Sequence, residues 1–281
     1  MIVPRHALTI ILLAPFVAAL AIMVAPRRNL LLVRLLAAIA ASIDLMLACW
    51  LCYAYLATPL HGLQFAERLE WVPIAGVGYS VGADGVSLSL VLLTALVIFC
   101  GVFASWTLTH RTKEFYCLLL LLVTGVFGVF IAQDLFFFFL FYELAVLPMY
   151  LLIGIWGTGP KEYSAMKLTL YLLVGSAFML VGILGMYFAA DLPGGGPRTF
   201  DLGQLARAEY SRTFQVVAFF LLYLGFGVLA GIWPLHTWSP DGHASAPTAV
   251  SMLHAGVLMK LGAYGVLRVG FGCLPQGAQA W

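Results

Sequence analysis

Residues 231–268 read GIWPLHTWSPDGHASAPTAVSMLHAGVLMKLGAYGVLR, and two features of this stretch decide the fold class. Its second half is an apolar run long enough to cross a hydrocarbon core of about 30 Å, yet it carries His254 and Lys260. Its first half sets Pro234, Pro240 and Pro247, with Gly231, Gly242, His236, His243 and Asp241, directly beside apolar sequence. That composition breaks a helix. Unwound backbone at membrane depth survives only where protein or a water-filled cavity covers it, which is how transporters make ion sites.

Working outward, apolar runs recur at residues 7–25, 31–56, 86–108, 115–133, 135–157, 166–190, 213–238 and 247–269, each long enough to span. The chain is 63% hydrophobic and 9% charged, with a mean hydropathy of +1.02, whereas soluble domains are about 25% charged. The reading is therefore an all-α integral membrane protein of about eight transmembrane helices, the seventh broken, lying in the lipid bilayer. Asp134 alone separates the fourth and fifth runs, so their connection must be tight. Residues 1–110 form an N-terminal unit of three helices and residues 115–281 a transporter unit. The net charge of +2 points to no nucleic-acid partner.

Arg5 precedes the first run and Pro26, Arg27 and Arg28 follow it, so this run reads as a retained helix rather than a cleaved signal. Cys49 and Cys52 spell C-x-x-C in mid-run, where thiols act as small apolar side chains rather than as a redox or zinc site. With alternating spans, Arg27, Arg28, Arg34, Arg111, Lys113, Lys161 and Lys167 share one side. That side is expected to be cytoplasmic, with the N-terminus outside, in the inner (plasma) membrane of the cell.

A charged group near the centre of a spanning helix costs about 2.5–3.5 kcal/mol on insertion scales, so each one calls for an explanation. Asp44, Glu143, His254 and Lys260 qualify. Lys260 lies twelve residues from Thr248 and eight from Arg268, about 12 Å or more from either end. It is expected to face a polar interior, where a lysine can exchange protons. Glu143 lies well inside its helix with Pro148 just beyond it, and reads as a proton carrier. His254 is about 9 Å from Lys260 along the axis and some 120° around it, close enough to line the same cavity. No neighbouring motif supports Asp44, which is left out of the site. His236, Asp241 and His243 are a poor zinc set, lacking a thiolate, and are expected to hydrogen-bond the broken segment.

PLHTWSPDGHASAPTAVSMLHAGVLMKLGAYGVLR resembles the signature of the antiporter-like subunits of NADH:quinone oxidoreductase, respiratory complex I, shared with Mrp-type sodium/proton antiporters and membrane-bound hydrogenases. FYELAVLPMYLLIGIWG is similar to that family's glutamate-bearing fifth helix, KLTLYLLVGSAFMLVGI to its sixth, and the stretch around Asp84, Gly85 and Ser87 to the start of its third. Lys260 matches the chain M type, whereas His254 looks more like the L type. The resemblance implies inverted helix repeats, each with a proton half-channel and a broken helix. On that basis only the first repeat lies within this chain. It further implies proton transfer by Glu143, Lys260 and His254 and partnership with other membrane subunits. No cofactor is expected on this chain, with NADH, FMN, iron–sulfur clusters and quinone on partner subunits.

One departure bears on mechanism. The family carries a lysine seven residues before the loop histidine matched by His236, paired with the fifth-helix glutamate; here that position is Leu229. Two other readings share the same residues or follow from this gap. One is an Mrp-type antiporter or hydrogenase subunit, distinguished by sodium dependence, and the other is a membrane scaffold that no longer pumps.

Overall fold

The computed structural model describes residues 6–26, 29–57, 62–192, 194 and 196–281; Arg5, Arg27 and Arg28 lie outside the described residues. Among the described residues eight helices are long and apolar enough to cross a membrane. They are α1 (Ala7–Val24), α2 (Leu30–Leu56), α3 (Gly85–Ala104), α4 (Thr112–Ile131), α5 (Leu135–Trp156), α6 (Lys161–Ala189), α8 (Arg212–Ala230) and α10 (Thr248–Phe271). Short helices α7 (Leu202–Leu205), α9 (Trp238–Ser245) and α11 (Pro275–Ala280) complete the set. The span α4 sits at the centre: 78% of its apolar window is buried, against at most 56% for any other. The remaining spans keep large apolar side chains on their outer faces, such as Val17, Met46, Leu147, Leu170 and Leu173. That surface is stable in lipid, where apolar exposure carries no penalty.

Helix α6 begins at Lys161, ahead of the apolar onset at residue 166. Lys161 and Glu162 are good helix formers, and Glu162 sits favourably in the first turn against the helix dipole. The seventh span ends at Ala230, where Gly231 takes a left-handed conformation with φ of 70° that favours glycine. A β-carbon there would also meet Met259 Cε at 2.6 Å. The chain then turns through residues 231–237 and resumes as α9, so the break falls where the prolines place it.

The polar stretch before residue 83 is not a plain loop. It folds as an antiparallel hairpin of β1 (Gln64–Val72) and β2 (Val77–Ala83), an addition to the otherwise helical chain. The hairpin gathers one end of the bundle. Glu67 accepts a hydrogen bond from Thr9 Oγ1 at 2.5 Å, Gln133 N donates to Ser80 O at 2.8 Å, and Phe200 N donates to Gly76 O at 3.1 Å. At the opposite end Arg34 donates to Leu108 O at 3.0 Å, Trp156 Nε1 to His110 O at 2.7 Å, and Thr158 N to Ser245 O at 2.9 Å.

Asp134 makes the tight α4–α5 connection possible. It is 2% exposed, and Oδ1 caps α5 by accepting from Phe136 N at 2.9 Å and Phe137 N at 3.2 Å, while Oδ2 accepts from Gly78 N at 3.1 Å. One side chain therefore satisfies a helix start and anchors the hairpin. Asp134→Ala is expected to destabilise the chain by about 2–4 kcal/mol, the lost cap plus a buried unpaired N–H. Denaturant titration in detergent checks it, and a loss under 0.5 kcal/mol would show that the connection does not depend on this side chain.

Candidate functional site

The site is assembled around the interruption between α8 and α10. Three hydrogen bonds tie α9 and the turn before it to α6: Ser164 Oγ to Ser245 Oγ at 2.7 Å, Lys167 Nζ to Asp241 Oδ2 at 2.7 Å, and Tyr171 OH to Thr237 Oγ1 at 2.9 Å. Positions 164, 167 and 171 fall on one face of a helix, and they meet 245, 241 and 237 running the other way. The short helix after the break, with the last residue of the turn, is thus held along its length by side chains of a continuous neighbour. Trp238 adds an anchor on the other side, donating from Nε1 to Val228 O at 2.9 Å in the last turns of α8.

Inside this clamp His254 is 1% exposed, and neither ring nitrogen has a partner. Two rings stack against it: Trp238 at 5.1 Å and 21°, and His243 at 4.0 Å and 18°. His243 in turn bonds Ser251 Oγ through Nδ1 at 3.2 Å. From His254 to Leu258 the helix widens into a π-helical turn, a form uncommon elsewhere and frequent at functional sites. The Lys260 ammonium reaches back to the Ala255 carbonyl within that turn.

The structure brings His243 and His254 together. Lys260 itself is exposed at the surface of the chain, its ammonium on the Ala255 carbonyl. The reason is the helix period: a residue six positions from the buried His254 is turned about 120° away from it. Asp241 is taken up by Lys167, Pro240 is exposed on α9, Pro234 is exposed in the preceding turn, and His236 there has a buried Nδ1 without a partner. Among the described residues no three His, Cys, Asp or Glu side chains gather as a metal site.

Glu143 stands apart, midway along α5. Its Oε1 is buried with no partner, and the nearby span α6 carries Ser176, whose hydroxyl donates to Leu173 O at 3.0 Å. Leu229, at the position where a lysine would be expected, is 1% exposed and offers no charge. Among the described residues no ion pair engages Glu143. Asp44 on α2 is fully buried, with both carboxyl oxygens unpartnered. Sequence reasoning missed the roles of Lys167, Trp238 and Ser251. The only signal available was the recurrence of Ser164, Lys167 and Tyr171 on one face of α6.

The far end of α10 is pinned by a second polar cluster. Arg268 Nη1 bonds Asp84 Oδ2 at 2.7 Å, and Tyr264 OH meets Ser87 Oγ at 2.9 Å and donates to Phe130 O at 3.0 Å. Burial alone would raise the Asp84 carboxyl, but the Ser87 amide and the Arg268 guanidinium prevail and hold it below the usual range. A carboxyl depressed by folding stabilises above the free aspartate value of about 3.9 and ceases to do so as pH falls through its folded value. Acidification below about pH 4 is therefore expected to loosen the contact between α3 and α10. Hydrogen exchange at the Ser87 amide reads this directly, and protection unchanged down to about pH 2 would contradict it.

Several known proteins are similar to this chain. The family model described as NADH:quinone oxidoreductase/Mrp antiporter, TM, matches residues 132–279. NAD(P)H-quinone oxidoreductase chain 4 of Gloeobacter violaceus is 41% identical over 274 residues, 97% of this chain and 50% of that protein. The protein named NAD(P)H-quinone oxidoreductase chain 4 2 in Microcystis aeruginosa is 40% identical over 269 residues, 96% of this chain and 48% of its own length. The chain spans about half the length of the curated relatives it matches. In the solved structure of respiratory complex I from Thermus thermophilus with bound NADH, one chain matches with a TM-score of 0.83 at 27% identity, covering 97% of this chain and 55% of that one. A chain of the Mrp complex from Dietzia sp. shares the fold with a TM-score of 0.74 at 23% identity, covering 97% of this chain and 29% of its own. Broken seventh span, a glutamate within the fifth and a matched family model converge: this multi-pass membrane chain belongs to the NADH:quinone oxidoreductase/Mrp antiporter transmembrane family.

Proposed function

We propose that this chain moves protons across the membrane as an antiporter-like subunit of an NAD(P)H:quinone oxidoreductase, while other subunits carry out the redox chemistry. The observation that carries this reading is an acid and a base, in separate membrane spans, whose buried polar atoms have no partner. Glu143 Oε1 and both nitrogens of His254 are buried without a hydrogen bond. Burying such groups unsatisfied costs about 1–3 kcal/mol each. Water filling the gaps would supply the missing bonds and the path for protons.

In this account residues 115–281 form the conducting unit and residues 1–110 flank it. Glu143 rests protonated, because Leu229 withholds a stabilising charge, and passes its proton through water toward Lys260, assisted by His254. Pro234, His236, Pro240, Asp241 and His243 shape and hold the broken segment. The end bearing Arg34, Arg111, Lys113 and Lys161 faces the cytoplasm, consistent with the retention of positive charge on that side of an inner (plasma) membrane. Flavin, iron–sulfur clusters, the nicotinamide nucleotide and quinone belong to partner subunits.

Purifying the native membrane complex that contains this chain and identifying its partners by mass spectrometry tests the assignment. Flavin- and iron–sulfur-bearing dehydrogenase subunits are expected. Recovery of small membrane subunits alone, with sodium-dependent transport, would turn the assignment to an Mrp-type antiporter.

A further inference from the structure

Where α1 ends, α4 begins and α5 ends, the three spans leave a groove of about 420 Å³ between them, within the range of about 300–1,000 Å³ that ligand clefts occupy. Its lining changes with depth. Arg111, which caps α4, and Lys113 and Glu114 in the first turn stand at the rim. Leu118, Leu151 and Ile155 make an apolar wall, joined by Met23 of the last turn of α1 and by Trp156 at the end of α5. Seven residues separate Arg111 from Leu118, so the wall reaches about 10 Å into the span.

The rim is cationic, with two basic side chains against one acid. Arg111 is exposed, and among the described residues no ion pair engages it. Its backbone is left-handed, with φ of 48°, a conformation that asparagine or glycine adopts more readily. The turn alone therefore does not account for an arginine. Lys113 Nζ donates to Ala25 O at 2.7 Å, which leaves two of its three ammonium hydrogens for another acceptor. Trp156 is fixed by its bond to His110 O at 2.7 Å and stands at the end of its span, the level at which indole rings border headgroups. A soluble anion would gain nothing from the apolar wall, and an apolar helix of another subunit would leave the two cations unpaired.

We propose that this groove binds an anionic phospholipid, its phosphate at Arg111 and Lys113 and one acyl chain along Leu118, Leu151 and Ile155. Basic pockets between spans at one face of a membrane recognise acidic headgroups in this way. The bound lipid bridges α1, α4 and α5 where two direct ties already join them, from Lys113 to Ala25 O and from Trp156 to His110 O. The inference depends on the membrane-spanning fold and is independent of which ion the chain moves.

Phosphatidylglycerol with a photoreactive group midway along one acyl chain is the probe, and zwitterionic phosphatidylcholine with the same chain is the control. Each is equilibrated with the native complex in detergent and illuminated, and the cross-linked peptides are identified by mass spectrometry. Labelling within residues 111–118 and 151–156 is expected to be about fivefold or more heavier with phosphatidylglycerol, the factor that one basic residue beside a headgroup contributes. That preference should shrink as salt rises to about 1 M, where the screening length falls to about 3 Å. Arg111→Asn suits the left-handed backbone while removing a charge, and is expected to lower labelling by phosphatidylglycerol about fivefold and leave the control unchanged. Leu151→Trp fills the wall and should reduce labelling by both. Equal labelling by the two probes would show ordinary boundary lipid, and labelling by neither would show that another subunit covers the groove; either result overturns the inference. Should the variants fail to assemble, the two probes and the salt series on the unmodified complex decide it.

Discussion

Glu143→Gln is expected to lower proton translocation by about 100-fold, the scale on which loss of a proton-transferring side chain acts, without unfolding the chain. Glutamine matches glutamate in volume, so the packing of α5 on α6 survives. What it lacks is a carboxyl that can bind and release a proton. The size of the effect follows from isolation: the buried Oε1 has no partner, and Leu229 supplies no cation that could take over. Glu143→Asp should retain part of the activity, because the titrating group remains although shortened. Initial rates of vesicle acidification at matched amounts of assembled complex give the comparison. Equal rates for Glu143→Gln and the unmodified chain would remove Glu143 from the pathway.

The second large effect is structural and acts on the site from behind. Gly262 on α10 lies against the backbone of α8, so that a β-carbon there would strike Phe226 O, meet Ala230 N at 2.5 Å and approach Ala230 Cα at 3.0 Å. Backbone atoms cannot swing aside as side chains do, so Gly262→Ala must push the two helices apart. Small residues at such crossings are what permits close packing in lipid, where no hydrophobic force holds helices together. The expected loss is about 3 kcal/mol or more, with the greatest displacement near Lys260 and the π-helical turn. Thermal unfolding in detergent reads the stability. A variant with unchanged melting temperature would mean that α8 and α10 are not in the contact described.

The same crossing shows what the sequence could and could not disclose. The eight spans, the tight turn at Asp134 and the break among Pro234, Pro240 and Pro247 were legible, because each is a local consequence of apolar run length or of proline and glycine chemistry. The hairpin carried a readable sign that went unused: Val77, Tyr79, Val81 and Ala83 alternate with Gly78, Ser80 and Gly82, the period of a strand. It was obscured by its polar setting between two long apolar runs.

The site was legible in its membership and less so in its geometry. Glu143, His254 and Lys260 stand out because ionisable groups are costly in a span, and that cost marks them without any neighbour. Which way each one points depends on partners far along the chain. His254 is buried because α9 folds back over it through Trp238 and His243, and Lys260 is exposed because the same helix cannot bury both faces there. The clamp of α6 on the broken segment was beyond reach for the same reason. Lys167 and Asp241 are 74 residues apart, and nothing local couples them.

The most direct test of proton movement through this chain uses the unmodified native complex, sealed into vesicles and supplied with NAD(P)H and quinone, with internal pH recorded in sodium-free medium and again with sodium added. The account predicts a pH change that accompanies nucleotide oxidation and is the same in both media. Oxidation with no pH change, or a pH change that appears only when sodium is present, would contradict it.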